Sequence, residues 1–185
     1  MAPYWQEVKT VFEALSYIVK DMDPDGIELY FTISPQTARD KHTTKLVQLL
    51  DKKKLDGMTD ISLRLKTLLD KYFVDNSQHY SSGANFLRNI RSARQSRPLN
   101  VYILTNGLWE TDPDVESVLR RVTQKLLELN LPKSQIGLQF ITFGENPVAL
   151  RRLHHLDSHI EEGLWVLHNS FPNTLSNLRD NDSNM

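Results

Sequence analysis

Three β-rich runs, each set apart from the next by stretches of helical period, constrain this chain more than any other feature. They fall at 27–33, 99–105 and 136–143. Each is dense in β-branched, aromatic and aliphatic residues and ends at a turn signal, which is the signature of a strand. Strands separated by helices cannot be joined as hairpins. They need crossover connections, and those place helices on both faces of a mostly parallel sheet.

The helical stretches carry the matching pattern. In 3–20, Val8, Val11, Phe12, Leu15, Ile18 and Val19 recur at three and four residues, with Pro3 in the first turn. A short helix is expected from Thr43 or Thr44 to about Lys53, with Leu46, Val47, Leu49 and Leu50 inward. A longer one is capped by Thr59 or Asp60 and runs to about Phe73, with Leu63, Leu65, Leu68, Leu69, Tyr72 and Phe73 apolar. Residues 112–129 present Val115, Val118, Leu119, Val122, Leu126 and Leu129 on one face, and Asn146-Pro147 opens a helix to about Leu156. Residues 34–42 and 75–85 read as polar loops, 86–95 as a helical turn or two, and 163–168 as a last short strand. The predicted order is α-β-α-α-β-α-β-α-β: one α/β domain over 1–172, doubly wound if its crossovers are right-handed, with a polar, frayed tail over 173–185.

Composition removes several functional classes. The chain has no cysteine, so disulfides, thiolate metal sites and cysteine nucleophiles are excluded. A net charge of −1 supplies no global field for nucleic acid or an anionic membrane, and neither is expected as a partner. The first residues lack a basic segment followed by an apolar run, and no apolar stretch approaches the roughly 20 residues that span a bilayer. An intracellular, cytoplasmic protein is the expectation that follows. Gly-x-x-x-x-Gly-Lys-Ser/Thr, Gly-x-Gly-x-x-Gly and Gly-x-Ser-x-Gly are all missing from the sequence, which argues against a nucleotide-dependent enzyme or a hydrolase on a doubly wound sheet.

Open parallel sheets bind ligands at the carboxyl ends of their strands. The residues that leave the strands are Ser34 and Pro35, then Thr105, Asn106 and Gly107, then Gly144 and Glu145, with Thr59-Asp60 opening a helix on the same rim. They offer hydroxyl, amide and carboxylate oxygens but no nucleophile paired with a base.

On these residues the chain resembles the von Willebrand factor A (vWA) family, in its compact intracellular fungal form. Gly57-Met58-Thr59-Asp60 resembles the family's Gly-x-Thr-Asp/Asn segment, Ile103-Leu104-Thr105-Asn106-Gly107 its strand-end Leu/Ile-Thr-Asp-Gly, and Ile136 through Gly144 the strand that follows. The likeness covers most of 3–157 in matching order. It implies a doubly wound sheet and a protein-binding rim built around a divalent ion, with Thr59 and residue 106 as ligands. The family's first, central strand and its Asp-x-Ser-x-Ser motif have no counterpart here; Met1 before the helix at Pro3 resembles the junction that follows that motif. Asn106 also stands where the family has Asp. An amide oxygen brings no charge, and Mg²⁺ is a hard cation that wants carboxylate and hydroxyl oxygens. The expectation is therefore a vestigial metal site at Thr59 and Asn106, and no cofactor beyond any residual affinity for Mg²⁺.

The functional expectation is a non-enzymatic protein-interaction domain whose partner contacts Thr59, Asp60, Asn106, Trp109 and Glu145. The alternative is a fragment of a larger vWA protein without independent function. Each residue also has a plainer role. Thr59 suits a helix cap, Asn106-Gly107 a turn, and Trp109 packing at the rim. His154, His155 and His159 near Asp157 read as helix-end surface residues, whose charge suits the last turn. Arg88, Arg91, Arg94 and Arg97 read as a solvated basic stripe.

Overall fold

The computed structural model describes residues 1–22, 25–54, 60–76, 97–109, 115–159 and 165–171, with backbone alone at 157, 159 and 165–171. A 3-10 turn over Ala2–Tyr4 leads into α1 (Trp5–Val19). There follow β1 (Ile27–Tyr30), β2 (Thr37–Asp40), α2 (Thr43–Asp51), α3 (Ile61–Asp75), β3 (Leu99–Thr105), α4 (Val115–Glu128), β4 (Ile136–Phe143), α5 (Pro147–His159) and β5 (Trp165–Phe171). The fold is α/β.

The strands form two sheets. β3, β4 and β5 are parallel, in that order, with Leu99 beside Ile136 and Gly137 beside Trp165. β1 and β2 make a separate antiparallel pair, with Ile27 opposite Asp40 and Tyr30 opposite Thr37. The second strand corrects the polar loop expected at 34–42. Thr37-Ala38-Arg39-Asp40 has no apolar alternation to announce it. Pairing holds it, together with Arg39, whose guanidinium lies 3.4 Å from Glu28 and 3.7 Å from Asp25. The first strand is correspondingly shorter than 27–33, because the chain turns at Thr32 and Ile33.

Alternation along the strands sorts the core into two faces. On one face Val101 and Ile103 of β3 join Ile136, Leu138 and Phe140 of β4. They pack against Leu65, Leu69 and Phe73 of α3, the α4 stripe, and Leu153 and Leu156 of α5. On the other face Leu104, Ile141 and Phe143 meet Val8 and neighbouring residues of α1. Phe12 of α1 and Leu46 and Leu50 of α2 then enclose Phe31, Ile27 and Leu29. Each side chain of this kind, once fully buried, contributes about 1.5–3 kcal/mol relative to exposure.

The α4 stripe forms as the spacing predicts: Val115, Val118, Leu119, Val122 and Leu126 are all buried. Asn130 ends that helix in the left-handed region (φ 52°), and Leu131 N–H returns to Leu126 C=O at 2.9 Å. Two expected core positions are corrected. Leu63 is 58% exposed, because the inward stripe of α3 is Ile61, Leu65, Leu69 and Phe73, and residue 63 lies on the opposite side of the turn. Ile18 is 66% exposed, and buried Ser16 takes the position above Phe12, donating to its carbonyl at 2.6 Å. The expected strand at 163–168 is β5, whose described residues begin at Trp165. The segment at 86–95, with Arg88, Arg91 and Arg94, lies outside the described residues, as does the tail over 173–185.

Candidate functional site

The carboxyl ends of β3 and β4 and the helix termini beside them make the rim. At the end of β3, Thr105 is buried and its Oγ1 accepts the Gly107 N–H at 3.0 Å. Asn106 Oδ1 accepts the Leu108 N–H at 3.2 Å. These two side-chain bonds fold 105–108 into a tight turn, the reason an Asn-Gly pair occupies it. Gly107 has φ 67°, and a Cβ there would come 2.5 Å from the Ala149 Cβ, so the turn sits directly on the first turn of α5.

That first turn is capped by Asn146, whose Oδ1 accepts from Val148 N–H at 2.9 Å and Ala149 N–H at 3.3 Å. One turn on, Arg152 reaches back to the rim. Its Nη1 donates to the Trp109 carbonyl at 3.2 Å, and its guanidinium lies 5.1 Å from the centre of the Trp109 ring. The ring also meets Phe140, with centroids 6.5 Å apart. Trp109 is therefore half-buried and held in place by a strand residue and a stacked cation. Around it Leu108 is 48% and Val148 50% exposed.

α3 runs against the strands. Near its start Arg64 donates to the Gln36 carbonyl beyond β1 at 3.1 Å. Near its end Tyr72 donates to the Arg97 carbonyl just before β3 at 2.7 Å. Asp60 thus lies at the carboxyl end of the sheet, where its Oδ1 caps α3 by accepting the Leu63 N–H at 2.8 Å. The start of α1 is at the same end. Gly144 (φ 88°) closes against the Tyr4 ring and hydroxyl, and Met1 packs beside Phe143, where burial pushes its terminal ammonium down. Glu145 follows Gly144 and is exposed.

Of the residues singled out from the sequence, Asp60, Asn106, Trp109 and Glu145 lie at this end, and Thr59 lies outside the described residues. Among the described residues no hydrogen bond or ion pair joins the four to one another. As ligands for a divalent ion they fit poorly. The Asn106 and Thr105 oxygens accept backbone N–H groups of their own turn, one Asp60 oxygen caps a helix, and no group of three His, Asp or Glu converges among the described residues. His155 instead sits 3.3 Å from Glu116, and His154 contacts Ser158 at 3.1 Å.

Leu108, Val148 and Arg152 escaped the sequence reading. Leu108 follows a turn, and Val148 and Arg152 sit in a helix for which the sequence marks only the start and end, so only packing brings Arg152 onto Trp109. No helix among the described residues is long and apolar enough to cross a membrane. The chain matches no protein-family model and no curated protein.

Proposed function

We propose that this chain is a non-enzymatic protein-interaction domain of doubly wound vWA type that binds a protein partner through the carboxyl-end rim without a metal ion. The observation that carries the reading is the patch formed by Leu108, Trp109, Val148 and Arg152. Leu108, next in the chain to Trp109, and Val148, next to the Ala149 on which Gly107 rests, stand half in solvent, and the tryptophan itself is contacted by Phe140 and Arg152. Protein-binding hot spots concentrate Trp and Arg, and an anchor fixed before binding loses little rotamer freedom on contact. Asp60, Asn106 and Glu145 supply polar groups around the patch, with Thr59 adjacent in sequence. The side-chain oxygens already bound to backbone N–H groups support loss of the metal, as does the neutral amide at 106.

The test compares proximity labelling by the wild-type chain and a Leu108→Ser/Trp109→Ala/Val148→Ser variant in cells, with circular dichroism to confirm that the variant folds. Labelled proteins lost only in the folded variant are expected; an identical labelled set would refute the rim. Titration with Mg²⁺ or Mn²⁺ in a calorimeter is expected to give no saturable heat. Saturable binding abolished by Thr59→Ala or Asn106→Ala would restore the metal, and thermal stabilisation by a nucleotide would favour an enzyme.

A further inference from the structure

Two half-buried cations converge on the turn that leaves β1, each held by neutral groups. Lys53 follows α2, and its Nζ donates to Ser34 Oγ at 2.7 Å and to Gln36 Oε1 at 3.1 Å. Arg64, in the first turn of α3, donates from Nη2 to the Gln36 carbonyl at 3.1 Å. A single residue, Gln36, thus joins the two. Each cation also sits over an aromatic face: Lys53 Nζ is 4.3 Å from the Phe31 ring centre, and the Arg64 guanidinium 5.4 Å from that of Tyr30. These contacts fix the side chains without cancelling their charge. Among the described residues neither cation has an ion pair, and acids of the surrounding elements are engaged elsewhere. Asp51 pairs with Lys9, Glu28 with Arg39 and Lys71, and Asp60 Oδ1 accepts the Leu63 N–H. Donors are left over as well. A guanidinium offers five N–H groups, and the enclosed Arg64 Nε has no acceptor. Lys52 and Lys54 flank Lys53 and are exposed, which adds to the positive field.

We infer that this cluster binds a phosphate monoester, free or carried on a protein side chain, between Lys53 and Arg64. Two fixed cations without a counter-charge select an anion. Charge decides its class. A phosphate monoester carries about −1.5 to −2 at pH 7 and three acceptor oxygens, which matches two cations with donors to spare, whereas a carboxylate brings only one charge. The guanidinium supplies planar N–H donors and the ammonium a compact point charge, two complementary ways of holding phosphate. The Ser34 hydroxyl accepts from Lys53 and has its own hydrogen to donate to a phosphate oxygen. The site shares no residue with the Leu108–Trp109–Val148 patch. It goes beyond the function proposed for that patch and does not rest on it.

The probes are inorganic phosphate and a short peptide carrying one phosphoserine. Each is titrated into the full chain at about pH 7 and constant ionic strength, with acetate and the unphosphorylated peptide as controls. The readout is the ¹H–¹⁵N signal of the Arg64 Nε–H, identified by its loss in Arg64→Lys. A saturable displacement is expected with a phosphate probe and none with either control. Displacement by both probes assigns the site to the phosphate group itself, and displacement by the peptide alone assigns it to a phosphorylated chain. Lys53→Gln, shown by circular dichroism to be folded, is expected to weaken binding by about tenfold or more, the worth of one charged hydrogen bond. No saturable displacement by either probe, an equal response to a control, or undiminished affinity in folded Lys53→Gln would each overturn the inference, and the first two need no variant to fold. The Leu108→Ser/Trp109→Ala/Val148→Ser variant is expected to keep its phosphate binding, so the rim and this site fail independently.

Discussion

Replacing Gly107 by Ala tests the junction on which the rim depends. The substitution meets two obstacles. Residue 107 has φ 67°, a conformation that costs an L side chain about 1–2 kcal/mol. The new methyl would also lie 2.5 Å from the Ala149 Cβ and 3.1 Å from its Cα, and forcing atoms into a packed site costs about 1–3 kcal/mol. The expected loss is therefore about 2–5 kcal/mol, a large share of the roughly 5–15 kcal/mol that holds a domain together. Part of it is specific to one neighbour. Ala149→Gly alone is expected to cost about 1 kcal/mol through helix propensity, since it places a glycine in α5. In the double variant the Cβ–Cβ clash is gone while the backbone strain remains. The double loss should thus fall short of the sum of the single losses by about 1–2 kcal/mol. Urea unfolding followed by tryptophan fluorescence gives all four stabilities of the cycle. Losses that add within about 0.3 kcal/mol would refute the contact. A Gly107→Ala loss below about 0.5 kcal/mol would refute both the strain and the packing.

Three further outcomes are expected. Asp60→Ala should cost about 1 kcal/mol by leaving the Leu63 N–H uncapped, and Asp60→Ser should recover most of it; equal losses would refute the cap. Arg120 donates to Glu116 from Nε at 2.9 Å, and this bond, with help from His155, holds the Glu116 carboxyl below its ordinary value. A lowered folded value means that the stabilisation is present at neutral pH and lost as pH falls through that value. Glu116→Gln should consequently narrow the stability difference between pH 7 and the acid side of the carboxylate range, and an unchanged difference by urea unfolding would refute it. Arg152→Ala should raise the mobility of Trp109 by freeing its ring and carbonyl, read as a fall in tryptophan anisotropy against the other tryptophans fixed by Trp→Phe replacement; unchanged anisotropy would refute the clamp.

Much of the fold and part of the site were legible in the residues alone. The period of Val115, Val118, Leu119, Val122 and Leu126 can only be a buried helical stripe, because five apolar residues at that spacing share one side. The β-branched runs of β3 and β4, the Asn-Gly turn and the Asn146-Pro147 cap are equally local, since each is specified by residues within a few positions of one another. Asp60 was already one of two candidates for the cap of α3. These elements also placed Asn106, Trp109 and Glu145 at one end of the sheet, because a strand-to-helix turn leaves from the carboxyl end of its strand, whereas Asp60 reaches that end through the way α3 packs.

Tertiary structure decided what depends on partners distant in the chain. β2 is polar and exists through its ladder to β1 and the ion pairs of Arg39 with Asp25 and Glu28. Leu63 and Ile18 are as hydrophobic as their buried neighbours, and only the position of the opposing layer turns them outward. Arg152 meets Trp109 because Gly107 lets the β3 turn rest on the first turn of α5. Strand pairing is likewise no property of a single segment: the residues of β1 and β3 specify that each is extended, and only their neighbours determine which hydrogen bonds are made, with β2 for β1 and β4 for β3 among the described residues.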